Sequence, residues 1–235
     1  MEYLIKSAIA ATDIAPSSGP SDQLFFAGEK SPMAALAPSL AQRAQAGSRG
    51  EPGEGASQAP AFTVVAESAG DIEAREDLLD RAMGPGRRRK SSEKLRRGRR
   101  PSEGLAFVAR DASGAVLGTV RLWDVTLGEG GPAALLLGPL AVEQALKGSG
   151  VGSALMRHAV TEAARLGHGA ILLVGDAPYY GRFGFSAAKT GALAMPGPYE
   201  RHRLLALELM EGVLDDAHGT LKAAGRKQKA QSLAA

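Results

Sequence analysis

Gly148, Gly150 and Gly152 stand between an apolar run and an amphipathic one, with Lys147 before them and Ser153 after. Glycine at such spacing lets the backbone approach a ligand closely and turn its N–H groups inward. The amphipathic run, Val151 to Arg165, reads as a helix whose positive dipole end points at the same spot. An anion, most often a phosphate, belongs there. The P-loop string is absent, because it needs Gly-Lys-Ser/Thr after its first glycine and Lys147 precedes the glycines. The dinucleotide fingerprint is met in part: Gly148 and Gly150 fit, Ser153 takes the third glycine's slot, and Asp176 closes the next strand.

A third pattern fits better. Lys147-Gly148-Ser149-Gly150-Val151-Gly152 resembles Arg/Gln-x-x-Gly-x-Gly/Ala, the pyrophosphate loop of GNAT acyltransferases, with lysine in the first slot as the departure. Further on, Leu173-Val174-Gly175-Asp176, Tyr179-Tyr180 and Gly184-Phe185 follow in the order of the bacterial N-acetyltransferase type of that superfamily. The resemblance covers roughly Phe62 to Leu209 and is best from Leu135 to Phe185. It implies an α/β (α+β) fold: a mixed, mostly antiparallel central sheet flanked by helices, with splayed central strands. It also implies an acetyl-CoA-dependent N-acetyltransferase that passes the acetyl group directly to an amine.

The same resemblance assigns roles. Lys147, Gly148, Ser149, Gly150, Val151, Gly152 and Ser153 would hold the pyrophosphate, the lysine as a point charge without arginine's planar fork. Leu140, Ala141 and Val142 would lie along the pantetheine arm. A backbone N–H near Val142 would polarise the thioester carbonyl, and Tyr180 would be the acid facing the departing thiolate. An alkyl amine, with a pKa near 10, must lose a proton before it attacks. The base for that step is not legible: Leu135 to Val142 contains no carboxylate, and Asp124 and Glu143 are candidates by position only.

The elements that must position these residues follow from pattern. Phe62 to Val65 reads as a strand, and Asp71 to Met83 as a helix with Ile72, Leu78, Leu79 and Met83 on its apolar stripe. Leu105 to Arg110 and Ala115 to Val125 form a hairpin around Asp111-Ala112-Ser113-Gly114. Leu135 to Val142 is the central strand, and Gly138-Pro139 inside it marks a bulge or an unpaired edge, since proline donates nothing to a ladder. Val151, Leu155, Ala159, Ala163 and Leu166 line one face of the helix that follows, with Gly167 or Gly169 ending it. Ala170 to Val174 is apolar throughout, a strand buried on both faces, and Leu193 to Met195 and Leu204 to Leu209 are closing strands.

Composition bounds the rest. The 235 residues, 44% apolar, can bury one sizeable core. The absence of cysteine excludes disulfides, thiolate metal sites and a thiol nucleophile, and His158, His168, His202 and His218 show no ligand spacing, so no metal is expected. No apolar run reaches the roughly 20 residues of a membrane span, and Met1 to Ala11 lacks the basic start of a signal peptide. A cytoplasmic monomer or homodimer is expected. Residues 1–60 carry net −2 and are rich in Ser, Pro, Gly and Ala, which reads as a low-complexity, disordered extension; the acyltransferase domain then spans 61–212 and a partly disordered tail 213–235. Gly86 to Arg100 packs nine Lys/Arg against Glu93 alone. The simplest reading of 87–100 is a solvated helix face; the family fold places it over the acceptor site. Such a stretch can also bind nucleic acid, but it lacks interleaved aromatics and a recognised nucleic-acid module. A non-catalytic acyl-CoA sensor is the remaining alternative.

Overall fold

A computed structural model describes residues 61–228. The extension expected over 1–60 and the last part of the expected tail, 229–235, lie outside the described residues. In chain order the elements are β1 Phe62–Ala66, α1 Ile72–Met83, α2 Glu93–Arg96, β2 Ala106–Asp111, β3 Val116–Thr126, β4 Ala133–Val142, α3 Val151–Arg165, β5 Ala170–Val174, α4 Ala177–Tyr180, β6 Leu193–Ala194, β7 Leu204–Glu208, β8 Gly219–Thr220 and β9 Lys222–Ala223. The main sheet runs β1-β2-β3-β4-β5-β7, with β9 added beside the far end of β3. Its pairs are antiparallel except β4 with β5. This is the mixed, mostly antiparallel sheet that the family resemblance implies.

Period-two alternation puts a core on each face. Leu135 and Leu137 of β4 and Ile171 and Leu173 of β5 pack under α3, while Ala134, Leu136, Ala170 and Leu172 pack on the opposite side. β5 is therefore buried on both faces, as its unbroken apolar run requires. Val151, Leu155, Ala159 and Ala163 of α3 are fully buried. Gly118 on β3 makes room for that helix: a Cβ there would stand 2.9 Å from Leu155 and 3.1 Å from Val151. The close approach fixes where the helix begins, and so where its N-terminal amides point. Gly167, at φ 80°, ends α3 as the N–H groups of Gly167 and His168 bond back to Ala164 and Ala163.

Two expected core positions are corrected. Ile72 is 50% exposed and Leu166 41% exposed, each at a helix terminus where the apolar stripe has turned past the edge of the sheet. The expected break at 212 is corrected too. Leu214, Ala217 and Leu221 are buried in the second core, β8 pairs with β6 apart from the main sheet, and β9 pairs with β3. Strands this short leave almost no periodic signal.

Candidate active site

β4 carries the decisive irregularity. Val120 pairs with Leu140 but Leu122 pairs with Leu137, so β4 has one residue more than β3 across this interval, centred on Gly138-Pro139. The extra residue reverses the alternation. Before it, odd-numbered residues face α3; after it, Leu140 and Val142 do, and Ala141 turns to Leu78 and Leu79 of α1. The indole N–H of Trp123 donates to the Gly138 carbonyl at 2.5 Å and braces the bulge. On its other edge β4 pairs with β5 only at Leu135 and Leu136, so the two strands part beyond that point. The Glu143 N–H donates to Leu117 on β3. Alternation along an antiparallel ladder then aims the amides of Leu140 and Val142 away from β3, into the gap on the β5 side. Ala141 points its backbone at Thr119 instead and its side chain into the core, so it is not brought into the gap.

The glycine loop closes the far end of that gap. Gly148 and Gly150 take φ of 87° and 92°, conformations that disfavour any side chain. The backbone N–H groups of Gly148, Gly150, Val151, Gly152 and Ser153 have no backbone acceptor among the described residues, whereas Ser149 gives both its N–H (3.1 Å) and its hydroxyl (2.7 Å) to the Leu146 carbonyl. Ser149 thus ties the turn and is not free for a ligand. The Val151 side chain is core, leaving only its amide. Gly148, Gly150, Gly152 and Ser153 line a cavity of about 210 Å³ with Val142, the exposed Lys147, Tyr179 and Arg182.

Arg182 escaped the sequence reading. Its guanidinium lies 4.5 Å over the Tyr179 ring, and it donates to the Tyr179 carbonyl (3.2 Å) and the Ser153 hydroxyl (3.3 Å). It brings a cation to the glycine-loop cavity, but from the segment after β5. Nothing in local sequence signals that; it depends on α4 folding back against α3. Gly152 permits the approach, since a Cβ there would stand 3.0 Å from the Tyr179 hydroxyl.

Next along the β4 edge, Tyr180 lines a smaller cavity of about 100 Å³ with Leu137, Gly138, Pro139, Leu140, Leu173 and Arg96 among its neighbours. Its ring packs edge-on to Tyr179 and Phe185 and lies across Gly175, where a Cβ would come within 2.1 Å of it. Burial pushes the Tyr180 phenol up to about 12, with the neighbouring Tyr179 and Asp176 acting in the same direction. Beyond Pro139 a third cavity, about 500 Å³, opens between α1, α2 and the bulge. Met83, Arg87, Arg96 and Pro139 line both it and the Tyr180 cavity.

The basic stretch is therefore not a solvated helix face throughout. The side chains of Arg87 and Arg96 are only 12% and 10% exposed: Arg87 is held against α1 by Glu76 and Asp80, and Arg96 follows Leu95, which plugs the second core. The two candidate bases are displaced as well. Asp124 lines a separate cavity with His168 and Arg226, and Glu143 pairs with Arg81 outside all three cavities.

Residues 102–187 match the family model described as Acetyltransferase (GNAT) domain. Over that stretch the chain is similar to the GNAT acetyltransferase domain. A GNAT family N-acetyltransferase (YhbS) from Escherichia coli, solved in complex with CoA, is 24% identical, with 69% of this chain and 89% of that one covered at a TM-score of 0.58. A GNAT family acetyltransferase from Brucella melitensis, solved in complex with acetyl-CoA, is also 24% identical, covering 63% of this chain and 96% of its own at a TM-score of 0.44. Comparison with curated proteins finds no match. The match to the GNAT domain spans the bulged β4, the glycine loop and Tyr180, and the likeness to the first structure extends the shared fold to either side. Among the described residues no helix is long and apolar enough to cross a membrane, and no group of three His, Asp or Glu could hold a metal ion.

Proposed function

We propose that this protein transfers the acetyl group of acetyl-CoA to an amine, with no covalent intermediate on the chain. The observation that carries the reading is the set of unpaired amides at Gly148, Gly150, Val151, Gly152 and Ser153, at one end of a gap whose other end is Tyr180. The amides and the Arg182 guanidinium suit a diphosphate; the open edge at Leu140 and Val142 suits the two amides of a pantetheine arm. On this reading a thioester would lie beside Tyr180. The Leu140 N–H, which borders this cavity, is better sited than Val142 to polarise the thioester carbonyl.

In the reaction the amine nitrogen bonds to the carbonyl carbon, the carbon–sulfur bond breaks, and the nitrogen's proton ends on the thiolate or in water. Tyr180 meets the sulfur as a hydrogen-bond donor. Full proton transfer from a phenol near 12 to a thiolate near 8.5 would cost about 5 kcal/mol, at about 1.36 per pKa unit. A hydrogen bond to the developing charge has no such cost and still lowers the barrier. Of the two carboxylates lining the large cavity, Glu76 makes the poorer base. Burial pushes it up, but hydrogen bonds from Arg87 and Arg75 outweigh this and hold it below its ordinary value. Glu93 has one guanidinium partner, Arg96 at 3.2 Å, and is the better candidate to take the amine's proton.

Thiol release from acetyl-CoA over a panel of amines tests the reading. Tyr180→Phe should lower kcat about 100-fold while acetyl-CoA still binds. The wild-type rate should show no alkaline loss up to about pH 10, because the phenol keeps its proton there. Binding without release on any amine would make the protein a sensor instead.

A further inference from the structure

The large cavity beyond Pro139 has an unusual wall. Seven of its fifteen lining residues are arginine and two are glutamate. The carboxylates that pair with those arginines are Glu67, Glu76, Asp80 and Glu93, which leaves three guanidinium charges uncompensated among the described residues. Arg97 and Arg99 have no carboxylate partner there; they donate to the main-chain carbonyls of Arg88 and Gly225. Arg96, at the mouth shared with the Tyr180 cavity, is nine-tenths buried, and its Nε has no hydrogen-bond partner. Leaving a buried donor of a cation unsatisfied is costly. Such an arrangement persists where something else completes it.

From this geometry we infer that the cavity selects acceptors in which the amine is joined to an oxyanion, a carboxylate or a phosphate, held by Arg96, Arg97 and Arg99. The inference rests on the acetyl-transfer reading and goes beyond it by naming the acceptor's class. Planar guanidinium forks suit both oxyanions. A volume of about 500 Å³ matches a small molecule. Arg96 is nine-tenths buried between the two cavities it lines, whereas a rigid duplex engages exposed side chains, so the arrangement favours a small acceptor over nucleic acid. The same positive wall repels a dication and lets an amine paired with its own negative charge approach.

Full-length protein should be assayed for thiol release with matched acceptors: 4-aminobutyrate against 1-aminobutane, O-phosphoethanolamine against ethanolamine, and putrescine. The acidic member of each pair is expected to show at least a 10-fold higher kcat/KM, with putrescine poorest; the two pairs separate carboxylate from phosphate preference. Arg97→Gln with Arg99→Gln should cut the preference below about 3-fold, and Arg97→Lys with Arg99→Lys should restore most of it, which separates charge from folding. Equal or better turnover of the neutral amines or putrescine overturns the inference and leaves acetyl transfer standing. Release with no amine at all overturns both. Salt-sensitive binding of a 20-base-pair duplex, with no preference within either amine pair, would assign the arginines to nucleic acid instead.

Discussion

Gly175→Ala isolates what Tyr180 does without touching its hydroxyl. The added methyl would lie 2.1 Å from Cε2 of the Tyr180 ring and 2.7 Å from Cδ2, where ordinary contact begins near 3.4 Å, so the ring edge must retreat by about 1.3 Å. Gly175 is not in the left-handed region, so the backbone accepts alanine and the strain falls on the ring. Tyr179 at 4.9 Å and Phe185 at 6.2 Å hem the ring in, so the retreat carries the hydroxyl with it. A displacement of about 1 Å in a positioned group costs on the order of 100-fold in rate, and overpacking of this kind costs about 1–3 kcal/mol of stability. The assay is steady-state thiol release for wild type, Gly175→Ala, Tyr180→Phe and the double variant, with acetyl-CoA affinity measured by calorimetry. Each single change should lower kcat about 100-fold, and the double variant should be little worse than either, since both remove one interaction. Acetyl-CoA affinity should change less than about 3-fold, because the glycine loop is untouched. Wild-type turnover in Gly175→Ala, or fully additive losses in the double variant, would refute the role given to Tyr180.

Arg182→Gln should raise the acetyl-CoA dissociation constant about 10-fold in low salt, with the difference shrinking near 0.5 M salt because the side chain is exposed; Lys147→Gln should matter less, and a reversed order by calorimetry would shift the charge role to Lys147. Asp71 anchors the start of α1: its carboxylate accepts from the Ser68 N–H and hydroxyl, each at 2.8 Å, and pairs with Arg110. Burial pushes that carboxyl up, but the Ser68 hydrogen bonds and the Arg110 charge outweigh it and hold it below its ordinary 3.8. Its stabilising contribution is therefore complete above that pH and fades as pH falls through the lower folded value. Asp71→Asn should cost about 1–2 kcal/mol at pH 6 and show a smaller loss than wild type between pH 6 and pH 3 in urea midpoints; equal losses would rule the carboxylate out as the source.

The glycine loop, the helix after it and the doubly buried β5 were legible because each is a contiguous string governed by local physics: φ freedom, helical period, an unbroken apolar run. Gly138-Pro139 announced the bulge, but not that the extra residue would send Ala141 into the core and leave Leu140 and Val142 on the open edge. Side chains that act across the fold left no such trace. Arg182 reaches Ser153 from 29 positions away, and Arg96 reads as one cation among nine until Leu95 is seen pulling α2 inward. Ser149 looked like a ligand because its neighbours are; its two bonds to Leu146 exist only in the folded turn. β8 and β9, two residues each, hold no period to read.

Main-chain amides of the glycine loop form the proposed diphosphate site, and amide chemical shifts report on them directly. In ¹⁵N-labelled protein titrated with CoA, the signals of Gly148, Gly150, Val151, Gly152 and Ser153 should move together in proportion to occupancy, while S-acetylpantetheine, which lacks the diphosphate, should leave them in place. Saturable CoA binding that does not disturb those five signals, or the same shifts with S-acetylpantetheine, would contradict that assignment.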